Sequence, residues 1–239
     1  MDEINLSIIL PTYNEEENLK ILLPRLAKLF QKEVFEIVLV DDGSTDNTVL
    51  VAKEFCDKYA IKFNGVLREG KQGIGSAIRA GYDAGNGDIL FSMDADCAFS
   101  DKDIINAWEK FNNEELDFLV GQRTGHSYES SSFRTWFKKN FSIAGNWLVS
   151  ILVGLPGVND YSLDFRIIKK HIWQSISNRP YHARNFFLFQ MIDQASKITD
   201  RINQIPVQFL DRRRGVSKMN VLKDPFIFFY NFLVWKIKN

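Results

Sequence analysis

Ile4-Asn5-Leu6-Ser7-Ile8-Ile9-Leu10-Pro11-Thr12-Tyr13-Asn14-Glu15-Glu16-Glu17 begins as an isoleucine-rich apolar run, stops at a proline and turns acidic. A run of this length and β-branched content reads as a strand buried on both faces, over 4–10. Asn14 is a good helix N-cap, and acids in a first turn suit the helix dipole. A helix over 15–31 therefore follows, with Leu19, Leu22, Leu23 and Leu26 on one side. Pro24 inside it predicts a kink or a break.

The same alternation repeats outward from this stretch. Phe35 to Val40 is a second apolar strand, ending at Asp41-Asp42-Gly43-Ser44, and Thr45 or Asp46 caps a helix to Tyr59. Ile61 to Leu67 is a third strand. Gly73 to Ala84 is a helix opened by glycines, and Ile89 to Met93 is a fourth strand that stops at Asp94-Ala95-Asp96. Asp101 to Asn112 reads as a helix and Leu116 to Gly121 as a strand. Apolar strands alternating with helices predict an α/β fold with a mostly parallel sheet and helices on both faces.

In such sheets ligands bind beyond the carboxyl ends of the strands. Four polar segments fall on that rim: Pro11 to Glu15, Asp41 to Ser44, Arg68-Glu69-Gly70-Lys71 and Asp94 to Asp96. Residues i and i+2 of a strand point the same way, so Asp94 and Asp96 at a strand end can converge on one cation. Mg²⁺ and Mn²⁺ take oxygen ligands and bridge carboxylates to diphosphates. A solvated turn is the bland alternative for this triplet. Gly73-Ile74-Gly75 lacks the third glycine of a dinucleotide loop and does not follow the first strand, which argues against NAD.

The second half differs in character. Residues 1–120 carry 23 acidic and 12 basic side chains, a net of −11, and residues 121–239 carry 7 acidic and 18 basic, a net of +11. Such a split suggests that the second half faces phosphates or an anionic surface, or that the halves neutralise each other. Ser127 to Ser132 reads as a polar linker, and Phe133 to Val153 as an interfacial helix or one buried in a membrane-protein partner. Asp160 to Ile168 reads as a strand, Asn185 to Lys197 as a helix and Arg201 to Leu210 as a strand. Pro225 to Lys236, aromatic and flanked by lysines, suits a membrane surface or a helix packed on the core.

With 45% hydrophobic and 25% charged residues, the chain is globular rather than disordered. Cys56 and Cys97 make neither a disulfide framework nor a zinc site, which points to a reducing, cytoplasmic setting. The first residues show no secretory signal. Arg212-Arg213-Arg214 is a basic run, but no nucleic-acid-binding motif accompanies it, so no nucleic-acid partner is expected.

Seven pieces in order resemble the inverting family-2 glycosyltransferases of GT-A fold, in the dolichyl- or polyprenyl-phosphate mannosyl/glucosyltransferase branch. They are Ile9 to Glu15, Val40 to Asp46, Gly73 to Ala77, Met93 to Asp96, Asp160…Phe165-Arg166, Ile205-Pro206-Val207 and Asp211-Arg212…Gly215 to Lys218. The resemblance implies a Rossmann-like nucleotide-sugar-binding half over 1–121, an acceptor-binding half of the same domain over 122–220, and a membrane-surface segment over 221–239. It implies that Pro11, Tyr13, Glu15, Asp41 and Asp42 hold the nucleotide, with Gly73 at a close backbone approach. Asp94 and Asp96 would hold Mg²⁺ or Mn²⁺ on the donor diphosphate. Arg123, Lys138, Arg166, Arg212 and Lys218 would grip the donor and acceptor phosphates.

The implied activity is transfer of a hexose from a GDP- or UDP-sugar to polyprenyl phosphate, by a protein peripheral on the cytoplasmic face of a membrane. A phosphate acceptor is already anionic and needs no base, whereas a sugar hydroxyl needs one. The chain departs from the branch at three places. Cys97-Ala98 stand where Leu-Gln is usual, removing a metal ligand. Leu163-Asp164 replace Ser-Gly, and Gln190 replaces a common Glu. These departures keep two alternatives in view: a hydroxyl acceptor with Asp164 or Asp160 as base, and a non-catalytic nucleotide-binding relative.

Overall fold

The computed structural model describes residues 3–124, 158–179, 186–208, 231–232 and 234–235. Strand β1 (Leu6–Thr12) leads to α1 (Glu16–Leu29), β2 (Phe35–Asp41), α2 (Thr48–Tyr59) and β3 (Lys62–Leu67). Next come α3 (Ile74–Ala84), β4 (Ile89–Met93), α4 (Asp101–Asn113) and β5 (Phe118–Thr124). After residue 157 follow β6 (Phe165–Lys169), α5 (Lys170–Ser177), α6 (Phe186–Ala195) and β7 (Ile202–Gln208).

The strands form one sheet in the order β3-β2-β1-β4-β6-β5-β7. Neighbours pair in parallel except at β6, which runs antiparallel to both β4 and β5. This is the mostly parallel α/β sheet that the apolar strands predict. The proposed halves meet inside it, because β6 inserts between β4 and β5.

Alternation along the strands splits the core. Leu6, Ile8 and Leu10 of β1 pack in one cluster with Leu19, Leu22 and Leu26 of α1, Ala52 and Cys56 of α2, and Ile104 and Phe111 of α4. Ile9 points the other way and joins Ile78 and Tyr82 of α3, Trp173 of α5 and Phe187 and Met191 of α6. Period-2 strands thus feed two helical layers. On the second face α3 sits very close: a Cβ at Gly81 would lie 2.3 Å from Ile9 Cγ2. Glycine there lets the helix come down onto β1, and its N-terminal end at Gly73 lies toward the carboxyl rim.

Several local expectations change. α1 runs unbroken through Pro24, because Pro24 and Lys20 are both exposed and water can take up the carbonyl that the proline leaves without a donor. β1 continues past Pro11 to Thr12. Its pairing with β4 ends at Ile9, so the missing N–H of Pro11 falls where that ladder has already stopped. Asn14 does not cap α1. It takes a left-handed φ of 58°, and its side-chain oxygen accepts the Thr45 N–H at 2.8 Å. The residue before α2 is Asn47, with Asp46 accepting the Thr48 N–H at 3.0 Å. β3 is an edge strand and Leu67 is 68% exposed, so only one of its sides meets a neighbour. Residues 127–132, 133–153 and 209–230 lie outside the described residues, and the predictions for the linker and the first aromatic segment fall there. Of the Pro225 to Lys236 segment the structure describes 231–232 and 234–235, which are helical and pack on α6. Phe232 is 1% exposed with its ring centroid 5.5 Å from that of Phe189, and Trp235 Nε1 donates to Asp193 at 3.2 Å. These residues follow the core-packed alternative rather than the membrane-surface one.

Candidate active site

The first two βα loops are tied into one rim. Asp41 ends β2 almost fully buried, and its Oδ2 accepts the N–H groups of Gly43 and Ser44 at 3.1 and 2.8 Å. Its Oδ1 accepts the hydroxyls of Thr12, at 3.3 Å, and Ser44. A carboxylate has about four acceptor positions, and the turn uses four. Gly43, at φ +79°, closes that turn against Gly70. Asn14 and Ser44 bridge the loops through the Asn14 N–H to Ser44 Oγ at 2.8 Å, and the Glu15 N–H reaches Thr48 Oγ1 at 2.8 Å. Glu15 Oε2 accepts Asn18 Nδ2 at 2.6 Å. Asp41 therefore shapes the turn, and Asp42 is the residue it presents.

Asp42 Oδ1 lies 2.9 Å from Arg68 Nη1, with both side chains largely buried. The contact is ionic but not aligned as a hydrogen bond, and both atoms are buried. Burial raises the Asp42 pKa, and the Arg68 charge opposes that rise. Arg68 is itself anchored, with Nη2 donating to Ser76 Oγ of α3 at 2.9 Å. The Lys71 ammonium lies 3.4 Å from the centroid of the Tyr13 ring. The sequence marks the 68–71 segment only as polar; the ends of β2 and β3 being neighbours is what brings Arg68 to Asp42.

β4 stops at Met93, and Asp94 to Cys97 leave it as a bend. Asp96 Oδ1 accepts the Ala98 N–H at 3.1 Å, with Cys97 at φ 60°. The two carboxylates are thus placed by this bend rather than by strand alternation. Among the described residues no three His, Cys, Asp or Glu side chains gather into a metal cage. A pair of carboxylate oxygen donors still fits a hard divalent ion whose remaining ligands come from a diphosphate and water.

Next along the rim, Asp160 receives the Ser162 N–H and Oγ, both at 3.0 Å, on Oδ1. Its Oδ2 accepts the Arg123 N–H at 3.3 Å and sits 3.5 Å from Arg123 Nε. Arg123 Nη2 donates to Ser162 Oγ at 3.0 Å, and its side chain is 39% exposed. Arg123 is therefore a partly open cation at the end of β5.

Arg166 and Asp164 take places that the sequence reading does not give them. Arg166 is fully buried and donates to three backbone carbonyls: Leu163 at 3.0 Å, Leu188 at 2.6 Å and Tyr161 at 3.0 Å. It cannot grip a phosphate from there. Because β6 is an interior strand, a side chain on that face points under α6 rather than onto the rim. Asp164 is also buried: Oδ1 accepts Ser92 Oγ at 2.6 Å, and Ser92 in turn contacts Tyr82 Oη at 2.8 Å. Its Oδ2 is buried without a hydrogen-bond partner. An enclosed carboxylate cannot reach a sugar hydroxyl, so Asp164 does not fit the role of base. Lys138, Arg212 and Lys218 lie outside the described residues.

Burial pushes the Asp164 pKa up to about 6, against the Ser92 hydrogen bond and the Arg166 charge, which pull it down. Burial likewise lowers Arg166 to about 10. Between an ordinary carboxyl pKa of 3.8 and about 6, the folded chain holds a proton that the unfolded chain has released. Stability from this group is complete below that window, falls as pH rises through it, and is flat above it. Asp164→Asn removes the titration. Its stability relative to wild type, read by urea unfolding at several pH values, should climb by up to about 3 kcal/mol from pH 4 to 6 and then level off. A difference that stays constant with pH would contradict the buried carboxyl.

The profile of glycosyl transferase family 2 matches residues 7–176, from within β1 to within α5. A dolichol-phosphate mannosyltransferase from Pyrococcus furiosus is 30% identical over 222 residues, covering 90% of this chain and 59% of that protein. An undecaprenyl-phosphate 4-deoxy-4-formamido-L-arabinose transferase from Serratia proteamaculans is 29% identical, covering 91% and 63%. The chain thus spans roughly three fifths of the length of these relatives. Among solved structures, glucosyl-3-phosphoglycerate synthase from Mycobacterium tuberculosis, in complex with Mn²⁺, UDP and glucosyl-3-phosphoglycerate, superposes with a TM-score of 0.63. It is 16% identical, over 89% of this chain and 73% of that one. TarS of S. aureus gives a TM-score of 0.58 at 21% identity, over 84% and 58%. The fold is GT-A, and with the profile running through six of the seven strands the chain belongs to glycosyl transferase family 2.

Proposed function

We propose that this protein transfers a hexose from a nucleoside-diphosphate sugar to polyprenyl phosphate, with inversion. Tyr13, Glu15 and Asp42, supported by Pro11, Asp41 and Gly73, hold the nucleotide. Asp94 and Asp96 hold a divalent ion, Mg²⁺ or Mn²⁺, which when bound offsets charge on the departing diphosphate. Arg123 meets a phosphate at the end of β5, aided by Lys138, Arg212 and Lys218.

The state of the two candidate bases supports a phosphate acceptor. Asp164 is enclosed, and both oxygens of Asp160 are engaged by Ser162 and Arg123. A hydroxyl acceptor would need one of them open, while an anionic phosphate attacks without help. The names of the similar mannosyl- and arabinose transferases agree with this acceptor class. Among the described residues no helix is long and apolar enough to cross a membrane. We place the protein peripherally, on the cytoplasmic face, where a nucleotide-sugar and a lipid phosphate meet.

Radiolabelled sugar transfer tests the reading, with polyprenyl phosphate as sole acceptor and UDP-, GDP- and dTDP-sugars as donors. A lipid-linked product from one donor is expected. No lipid product from any donor, together with transfer to a free sugar hydroxyl, would overturn the acceptor assignment.

A further inference from the structure

Lys71 occupies an unusual position for a cation on a nucleotide rim. Its ammonium sits 3.4 Å from the centroid of the Tyr13 ring, a close cation–π contact. Tyr13 directly follows β1, and Asp42 directly follows the neighbouring β2. The Lys71 charge is felt at Asp42 as well, where it favours the carboxylate. Tyr13, Asp42 and Lys71 therefore share one spot, and the cation covers an aromatic face there. The segment carrying Lys71 is bounded by glycines at positive φ, Gly70 at +76° and Gly73 at +101°. Beyond one end, Arg68 is pinned to Asp42 and Ser76; beyond the other, α3 begins. Four residues, Gly70 to Gly73, thus span two fixed points.

We propose that Lys71 is an internal placeholder of the donor site: its ammonium covers the Tyr13 ring in the nucleotide-free protein and moves to the diphosphate when a base takes that ring. The proposal rests on reading this rim as the donor site. The exchange replaces a cation–π contact with base stacking at Tyr13 and gives the ammonium a dianionic partner. A nucleoside without phosphates must displace Lys71 and offers it nothing in return. Lys71 then penalises nucleosides and rewards diphosphates, so discrimination arises from one side chain with two positions.

Calorimetry on the full chain with MnCl₂ tests this, using uridine, guanosine, UDP and GDP against wild type, Lys71→Met and Lys71→Arg. Lys71→Met keeps the stem and removes the charge. It should bind the preferred nucleoside about three- to fivefold more tightly, the size of an exposed cation–π contact. It should bind the matching diphosphate about tenfold more weakly, through the lost charge-assisted contact. Lys71→Arg should restore diphosphate binding. If nucleoside and diphosphate affinities shift in the same direction, or neither shifts, the placeholder is wrong while the donor site stands. If wild type binds neither diphosphate, the donor-site reading fails and takes this proposal with it.

Discussion

Arg166→Met should cost the fold about 3–5 kcal/mol, or leave the chain unable to fold. The methionine fills the space but leaves the carbonyls of Tyr161, Leu163 and Leu188 without their donor. Each unsatisfied buried acceptor costs about 1–3 kcal/mol. The Asp164 charge beside it also loses its compensating cation, which adds to the loss. Urea unfolding at pH 7.5 reads the effect. Arg166→Lys, which keeps the charge but reaches at most part of the same acceptors, should fall between the two. A phosphate-gripping arginine would behave oppositely: the midpoint would be unchanged and only transfer would fall.

Asp94→Asn should lower transfer by about two to three orders of magnitude, the usual size of losing one preorganised electrostatic contact to developing charge. Asp94 is partly exposed in the bend after β4, and Asn keeps its size and shape. Its melting temperature should stay close to that of wild type. Transfer rates measured over a Mn²⁺ series complete the test. Rates that return at high Mn²⁺ locate the defect in holding the ion, and rates equal to wild type at low Mn²⁺ would remove Asp94 from the site.

The layers of this fold are legible in the sequence because they depend on local pattern. β1, β2 and β4 are short apolar runs that end in polar turns, and α1 and α4 carry their leucines, isoleucines and phenylalanines at helical spacing. The position of β6 is not local. Its pairing with β4 spans about 70 residues, and nothing within Phe165 to Lys169 states its direction or its neighbours. That strand decides the fate of Arg166 and Asp164. The one sequence signal was an arginine set in Phe165-Arg166-Ile167-Ile168, a run apolar enough to mark a buried cation. Asn14 is non-local for a similar reason: its cap chemistry is real, but a loop 31 residues away receives it. Asp41 and Asp42 look equivalent as a pair, and only the turn geometry separates the one that holds the turn from the one that pairs with Arg68. Helix α5 has no side-chain cap at its start, so no local signal announces it.

Inserting β6 between β4 and β5 also sets a schedule for synthesis. A ribosome that has released β1 to β4 has delivered four strands that already pair, with β4 exposed as a bare edge. Unpaired edges recruit other chains. β5 emerges next but cannot cover that edge, since its partners β6 and β7 are still untranslated. At about 5–20 residues per second, roughly 70 further residues take about 4–14 s before β6 can close the gap. Slow translation while the chain between β4 and β6 is emerging therefore lengthens the time during which the nascent chain can aggregate.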